Sequence, residues 1–317
     1  MKRKQLTKEQ IEFAKKNFGF TDNDIFRHVL ASDDDQSREI LKTFISQIVQ
    51  KEIVDVEIGN TEPIKDVYYE KGMRLDVLVK CRDEYGNDRV IDLEIQNYGS
   101  SDYIASRAMS YKAKMISSQL KVGDDSFYFD EVYQVMILNK VKFENDKRYY
   151  HEYCLMDIES KQLFPNNKEH IVVIELEKMN VLNVNHIKDW SPLEKMIYLM
   201  KYAHDESKRD IIEVLKQEHE VLKMMLDKKD DFFKTMAEDI GKFKEMIHRY
   251  DMEHKDEIIM QQGIEQGIEI GIEQGNVKVQ EQKKEFIKSM YNEDIPLEQI
   301  ARIVKVSVEE VKKYINE

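Results

Sequence analysis

The sequence has little cysteine: two residues in 317, Cys81 and Cys154, far apart. They form no zinc-ligand spacing and no disulfide framework. A cytoplasmic, reducing compartment is the default expectation. Long apolar runs are also missing. Nothing reads as a membrane span or a signal peptide, and the opening MKRKQLTKEQ passes directly into a polar helix, so no membrane partner is expected. The eight histidines are scattered. Only His151 and His170 fall near candidate strands, and no Ser or Cys stands beside them to suggest a nucleophile triad. Positive charge is in deficit, with 49 Lys and Arg against 62 Asp and Glu, a net charge of −13. That balance argues against a protein that coats nucleic acid non-specifically and predicts weak, salt-sensitive binding to long DNA.

What is present supports a folded chain. Hydrophobic residues make up 41%, enough for a core, and charged residues 35%, which points to long solvated helices. The length suits one large domain or two smaller ones.

The most informative stretch is Arg74 to Gln96, RLDVLVKCRDEYGNDRVIDLEIQ. Leu75, Val77 and Val79 alternate with Asp76, Leu78 and Lys80. Ile91, Leu93 and Ile95 alternate with Asp92, Glu94 and Gln96. Period two over such runs predicts strands with one buried face. Asp83-Glu84-Tyr85-Gly86-Asn87 between them has turn chemistry, so the whole predicts a β-hairpin. A three-residue loop Glu84-Tyr85-Gly86 sets Asp76 opposite Glu94. A loop Tyr85-Gly86-Asn87 sets Asp76 opposite Gln96. A two-residue loop Gly86-Asn87 separates them, and a β-bulge would alter the count.

Two carboxylates at strand-neighbour distance repel unless something neutralises them. A divalent, oxygen-preferring cation would do so and could accept phosphate oxygens as further ligands. Spacing alone favours the plainer reading, a solvated strand face carrying two unrelated acids, since Asp and Glu are common on exposed faces.

Asp76 followed by Glu94-Ile95-Gln96 resembles the PD-(D/E)xK nuclease signature in a D…ExQ form, as in the PD-(D/E)xK nuclease family transposases or recombination-promoting nucleases. Arg107 and Tyr111 on the next predicted helix match the family's R-x-x-x-Y pair. Val132 to Asn139 is similar to its next core strand, and His170 to Lys178 to its later strand with Glu175-Leu176-x-Lys178. A glycine repeat near Gly263 is also typical. The broader superfamily's lysine is Gln96 here, which can be neither cation nor base, although glutamine is common in the transposase-like branch. The resemblance implies an α/β fold: a restriction-endonuclease-like core with a mixed sheet, followed by a helical C-terminal region. It implies a DNA substrate and a link to recombination or mobile elements. Asp76 and Glu94 would be catalytic ligands of Mg²⁺ or Mn²⁺, and Gln96 would position water or phosphate. Arg107 would meet a phosphate or orient Glu94. The structural alternative for Arg107 is a surface residue stacked on Tyr111.

Along the chain, Thr7-x-x-Gln10 predicts a capped first helix ending near Gly19, with a second over Thr21 to Leu30. Asp33 to Asp35 read as loop acids that cap the helix containing Ile40 to Ile48. Glu52 to Ile58 reads as a strand, Ile64 to Tyr69 as a short edge strand, and Ser101 to Leu120 as a helix. Arg148 to Asp157 is a strand between the two apolar ones or at an edge. Ser191-Pro192-Leu193-Glu194 opens a helical region reaching about His254. Gly263, Gly267, Gly271 and Gly275 form a four-residue repeat, read as a self-association or hinge segment, with a plain linker as the alternative. Pro296 to Glu317 resembles a helix-turn-helix, but its second helix opens on Glu309 and Glu310, which favours a packing unit over a DNA reader.

The expected organisation is a nuclease-like domain over 1–190, a long helical region over 191–260, a glycine-repeat helix or linker over 261–276 and a small helical tail over 277–317. The expected activity is metal-dependent DNA endonuclease, with homo-oligomerisation through the helical C-terminal region. The rival is a non-catalytic DNA-binding or scaffold protein with a degenerate nuclease core.

Overall fold

The computed structural model describes residues 6–59, 75–97, 99–120, 127–143, 146–182, 184–253, 282–293 and 295–316. The expected strand Ile64 to Tyr69 and the glycine repeat Gly263 to Gly275 lie outside them. The chain divides into two compact units, Met1–Met246 and Ile247–Glu317.

Three helices precede the sheet. In α1 (Lys8–Asn17), Thr7 and Gln10 form the reciprocal capping box. In α2 (Asn23–Leu30), the Asp22 carboxylate accepts from the first backbone N–H groups, so the helix begins two residues later than expected. In α3 (Asp35–Val49), Asp34 does the same through Ser37 N and also pairs with Lys228. The acidic loop is a cap, as its position before an apolar helix predicts.

The sheet has six strands in the order β1-β2-β3-β4-β6-β5. They are β1 (Ile53–Ile58), β2 (Val77–Asp83), β3 (Asp88–Gln96), β4 (Glu131–Leu138), β5 (Tyr150–Cys154) and β6 (Glu169–Glu175). β1, β2 and β3 are antiparallel neighbours, β3, β4 and β6 run parallel, and β5 closes the far edge antiparallel to β6. β4 and β6 are largely apolar, as strands covered on both faces usually are, whereas β3 buries Arg89, Asp92, Glu94 and Gln96 among its apolar residues. Tyr150 to Cys154 takes the edge position, one of the two places its sequence allowed.

The β2–β3 turn fixes the register. Asp83 N donates to Asn87 O and Gly86 N to Asp83 O, which makes Glu84-Tyr85-Gly86 the loop. Gly86 has φ +82°, a conformation that favours glycine. Val77 therefore pairs with Leu93 and Leu78 with Asp92.

Register also assigns the faces. Helix α4 (Ser101–Gln119) packs Ile104 and Ala108 against Met136, Leu138 and Val173, and Met115 against Val90 and Val132. Asp92, Glu94 and Gln96 share this α4 side. Ile91, Leu93 and Ile95 point the other way and are fully or almost fully buried. On that side α3 packs on β1, and the Tyr150 hydroxyl donates to Ile48 O.

The long helical region is four helices: α5 (Pro192–Tyr202), α6 (Arg209–Glu218), α7 (Glu220–Met236) and α8 (Ile240–Glu253). His219, extended at φ −150°, breaks α6 from α7. The predicted Ser191/Glu194 capping box opens α5. α7 packs on α2 and α3 and buries Met225, Phe232, Phe233 and Met236, so these residues are core. Within the second unit, α9 (282–292), α10 (Leu297–Val304) and α11 (Val308–Asn316) bury Ile287, Met290, Ile300, Ala301 and Val311 together. Lys305, at φ +55°, makes the turn where a glycine is usual, and Ser307 and Glu310 form the last capping box. No helix among the described residues is long and apolar enough to cross a membrane. Both cysteines are free thiols.

A buried ion network ties the sheet together on the side away from α4. Arg89, whose side chain is 1% exposed, lies 2.8 Å from Asp83 and 2.6 Å from Glu131. His170 stands 3.1 Å from Glu131 and 2.8 Å from Glu152 and stacks on Tyr133. Burial alone would lower the His170 pKa, but the two carboxylates raise it to about 9. Burial likewise opposes ionisation of Glu131, yet His170 and Arg89 hold it down to about 2. The stabilisation from this network is complete between the unfolded values of 4.5 and 6.5. It is lost as pH rises through about 9, where His170 gives up its proton, or falls towards about 2, where Glu131 gains one. Urea denaturation should show His170→Asn costing on the order of 2 kcal/mol at pH 6 and much less at pH 10. A pH-independent cost would mean that His170 contributes packing only.

Candidate active site

The observed register sets Asp76, the residue before β2, opposite Glu94 on β3. Their contacts are reciprocal. Asp76 N donates to Glu94 Oε1 at 2.8 Å, and Ile95 N donates to Asp76 Oδ2 at 3.1 Å. Glu94 is fully buried, Asp76 5% exposed and Gln96 8%. The acids are therefore held under α4, away from solvent, and the reading of a solvated strand face is wrong for them. The reason is the helix that follows the hairpin, which covers that face.

Two arginines from different helices reach these acids. Arg107 of α4 donates from Nη2 to Glu94 Oε2 at 2.7 Å, with its guanidinium 4.5 Å from the Tyr111 ring centre. The Tyr111 ring lies beside the guanidinium, which pairs with Glu94 on its other side. Arg27 of α2 donates from Nη2 to Leu75 O at 2.9 Å and to Asp76 Oδ1 at 3.0 Å. Gln96 Nε2 lies 3.4 Å from Glu94 Oε2. Asn97 Nδ2 donates to Thr21 O and ties the end of β3 to the approach of α2.

A third acid sits behind the pair. Asp92 is fully buried on the same face of β3 and accepts from Gln134 Nε2 of β4 at 2.7 Å, while its Oδ1 has no hydrogen-bond partner. The alternation of Asp92, Glu94 and Gln96 already placed Asp92 on this face, so it could have been named from sequence. Arg27 and Gln134 carry no such local signal, because each reaches the site through long-range packing.

The electrostatics are those of crowded acids. Burial raises the Asp76 pKa, against the pull of Ile95 N–H and Arg27. Burial first, and the Asp76 charge second, push Glu94 up to about 7, against Arg107. Burial and then the Glu94 charge raise Asp92 well above the ordinary range. Among the described residues two arginines face three acids, so further positive charge would be accommodated.

The later motif has a separate task. Glu175, fully buried, accepts from Lys142 N at 2.7 Å and Phe143 N at 3.0 Å and pairs with Lys178, which donates to Phe143 O. It anchors the segment that follows β4. Asn139 N donates to Gln96 O, and Lys201 of α5 holds Asn139 through both of its oxygens. His151 lies beside Glu175 and accompanies this anchor.

A family model described as PD-(D/E)XK nuclease family transposase matches residues 21–267. The chain belongs to that family. Neither a curated protein nor a solved structure matches it. The matched span contains every residue of the site, from Arg27 to Gln134. The mixed sheet with its flanking and C-terminal helices agrees with a PD-(D/E)XK core, and membership points to a nuclease- or transposase-related function.

The raised acids have a measurable consequence. With chelator present, the folded chain keeps a proton on Glu94 after the unfolded chain, at 4.5, has lost it. Stability should fall by on the order of 2 kcal/mol as pH rises from about 4.5 to about 7. Glu94→Gln should flatten this slope and be more stable than the wild type at pH 8. An unchanged slope in Glu94→Gln would show that the carboxylate is not strained.

Proposed function

We propose that the chain is a metal-dependent DNA endonuclease that hydrolyses phosphodiester bonds, acting in recombination or on mobile elements. The observation that carries this reading is the face-to-face burial of Asp76 and Glu94 in the D…ExQ register, inside a chain of this nuclease family.

The donor chemistry suits a hard divalent ion. All candidate ligands are oxygens, and the mutual repulsion of Asp76 and Glu94 favours a cation between them. Among the described residues no group of three or more His, Cys, Asp or Glu is arranged around a common point. Two carboxylates with the remaining positions left to water and phosphate is a usual set for Mg²⁺ and serves Mn²⁺ as well. When bound, such an ion polarises a phosphate oxygen and acidifies water.

The chain's own residues supply the rest. Asp76 and Glu94 would hold the ion, and the bonds from Asp76 N to Glu94 Oε1 and from Ile95 N to Asp76 Oδ2 keep the two carboxylates beside one another. Arg107, backed by Tyr111, orients Glu94. Gln96 carries an amide that can hold water or a phosphate oxygen, and it takes no proton from either. Water attacks phosphorus and gives one proton up to solvent, the P–O bond to the leaving strand breaks, and the leaving oxygen takes a proton from solvent. We place the protein in the cytoplasm and assign self-association to its helical C-terminal region.

One observation favours the non-catalytic scaffold as the second reading: each oxygen of Asp76 and Glu94 already has a donor. Plasmid nicking separates the two. Wild type should nick and linearise plasmid with Mg²⁺ or Mn²⁺, EDTA should stop it, and Asp76→Ala or Glu94→Ala should lower the rate by at least about a hundredfold. Cleavage that survives both substitutions, or no cleavage by any form, would remove the endonuclease reading.

A further inference from the structure

Arg27 is the part of the site that neither the signature nor the family resemblance supplied. It comes from α2, 49 positions before Asp76 in the chain. Its Nη2 bridges Leu75 O and Asp76 Oδ1, at 2.9 and 3.0 Å. Its Nε is buried and has no hydrogen-bond partner. The side chain as a whole is nonetheless 24% exposed, so Arg27 stands at the border between the buried acids and solvent. α2 is fixed there by the Asn97–Thr21 bond and by the burial of Ile25, Phe26, Val29 and Leu30, so Arg27 is presented by a rigid element.

The two arginines of the site are not equivalent. Arg107 holds Glu94 from above and is itself held by Tyr111. Arg27 occupies Asp76 Oδ1, while Oδ2 of the same carboxylate accepts from the Ile95 N–H, a backbone donor fixed within β3. Oδ1 is therefore the oxygen of Asp76 that can exchange its partner. A divalent ion that binds Asp76 must compete with Arg27 for it. A displaced guanidinium, with its planar fork of donors, suits a phosphate oxygen.

We propose that Arg27 holds the cation position at Asp76 in the metal-free chain and passes to a DNA phosphate when a divalent ion takes that position. This rests on the endonuclease reading above. It gives the site, which has Gln96 where the superfamily has a lysine, a positive group that arrives from another helix. It also makes metal binding and DNA binding mutually supporting, because the ion frees the residue that grips the strand.

The test measures binding, not cleavage. Mn²⁺ affinity is determined by calorimetry for the full chain, for Arg27→Gln, Arg27→Lys and Asp76→Asn, without DNA. Arg27→Gln removes the competing charge and should bind Mn²⁺ at least about fivefold more tightly than wild type. Arg27→Lys keeps the charge and should stay close to wild type, and Asp76→Asn should lose the site. In Ca²⁺, the Kd of Arg27→Gln for duplex DNA should rise, and the slope of log K against log salt should fall by about one phosphate contact. A measurement on the wild type stands apart from any folding defect. In arginine ¹H–¹⁵N spectra, the Arg27 Nε–H signal, assigned by its absence in Arg27→Lys, should move on adding Mg²⁺ and move again on adding DNA. Equal or weaker Mn²⁺ binding by folded Arg27→Gln, or an Arg27 signal unmoved by Mg²⁺, would overturn the proposal while leaving the endonuclease reading intact. Absence of any Asp76-dependent Mn²⁺ binding in the wild type would overturn both.

Discussion

The repulsion between the buried carboxylates of Asp76 and Glu94 is the constraint to which the surrounding structure answers. A three-residue turn sets the acids opposite one another, and α4 covers them. Burial in that position is costly for ionised groups. The structure offsets the cost with two backbone N–H bonds and with arginines from α2 and α4. Those helices are in turn seated by ordinary apolar packing, Ile25 and Phe26 on one side and Ile104 and Ala108 on the other. The core thus serves to bring charged groups from distant parts of the sequence to one point.

The sheet separates two kinds of buried charge. On the face away from α4, Asp83, Arg89, Glu131, His170 and Glu152 form a network in which Asp83 and Glu131 are held down and His170 is held up. These three shifts favour the charged form, which is the signature of a stabilising network. On the α4 face the shifts of Asp76, Glu94 and Asp92 favour the neutral form. Acids left short of positive charge in a folded protein mark a place where stability has been given up for binding or chemistry. The contrast between the faces is consistent with the proposed site lying on the α4 face.

Much of this was legible in the sequence because it is local. The hairpin and its turn were readable from Gly86 and the residues around it, with the observed register one of three the sequence allowed, and the caps at Thr7, Asp34, Ser191 and Ser307 followed from side-chain chemistry next to apolar runs. The shared face of Glu94 and Gln96 needed only the period of a strand, and Asp76 joins them in either three-residue register. What escaped was non-local. Arg27 and Gln134 reach the site through packing of elements far apart in the chain, and no spacing rule encodes that. Asp92 was visible in the alternation but carried no meaning until α4 was seen to bury it. The break at His219, where one helical stretch becomes two helices, is likewise set by the return of α7 onto α2 and α3 and not by a breaker residue.

The most direct test of the central claim, that Asp76 and Glu94 form one divalent-ion site, is calorimetric titration of Mn²⁺ at pH 6 in buffers of different ionisation enthalpy. The account predicts one Asp76- and Glu94-dependent binding event per chain, with net release of protons, because the crowded acids give theirs up when the ion arrives. Binding without proton release, or binding that persists unchanged in Glu94→Gln, would contradict it.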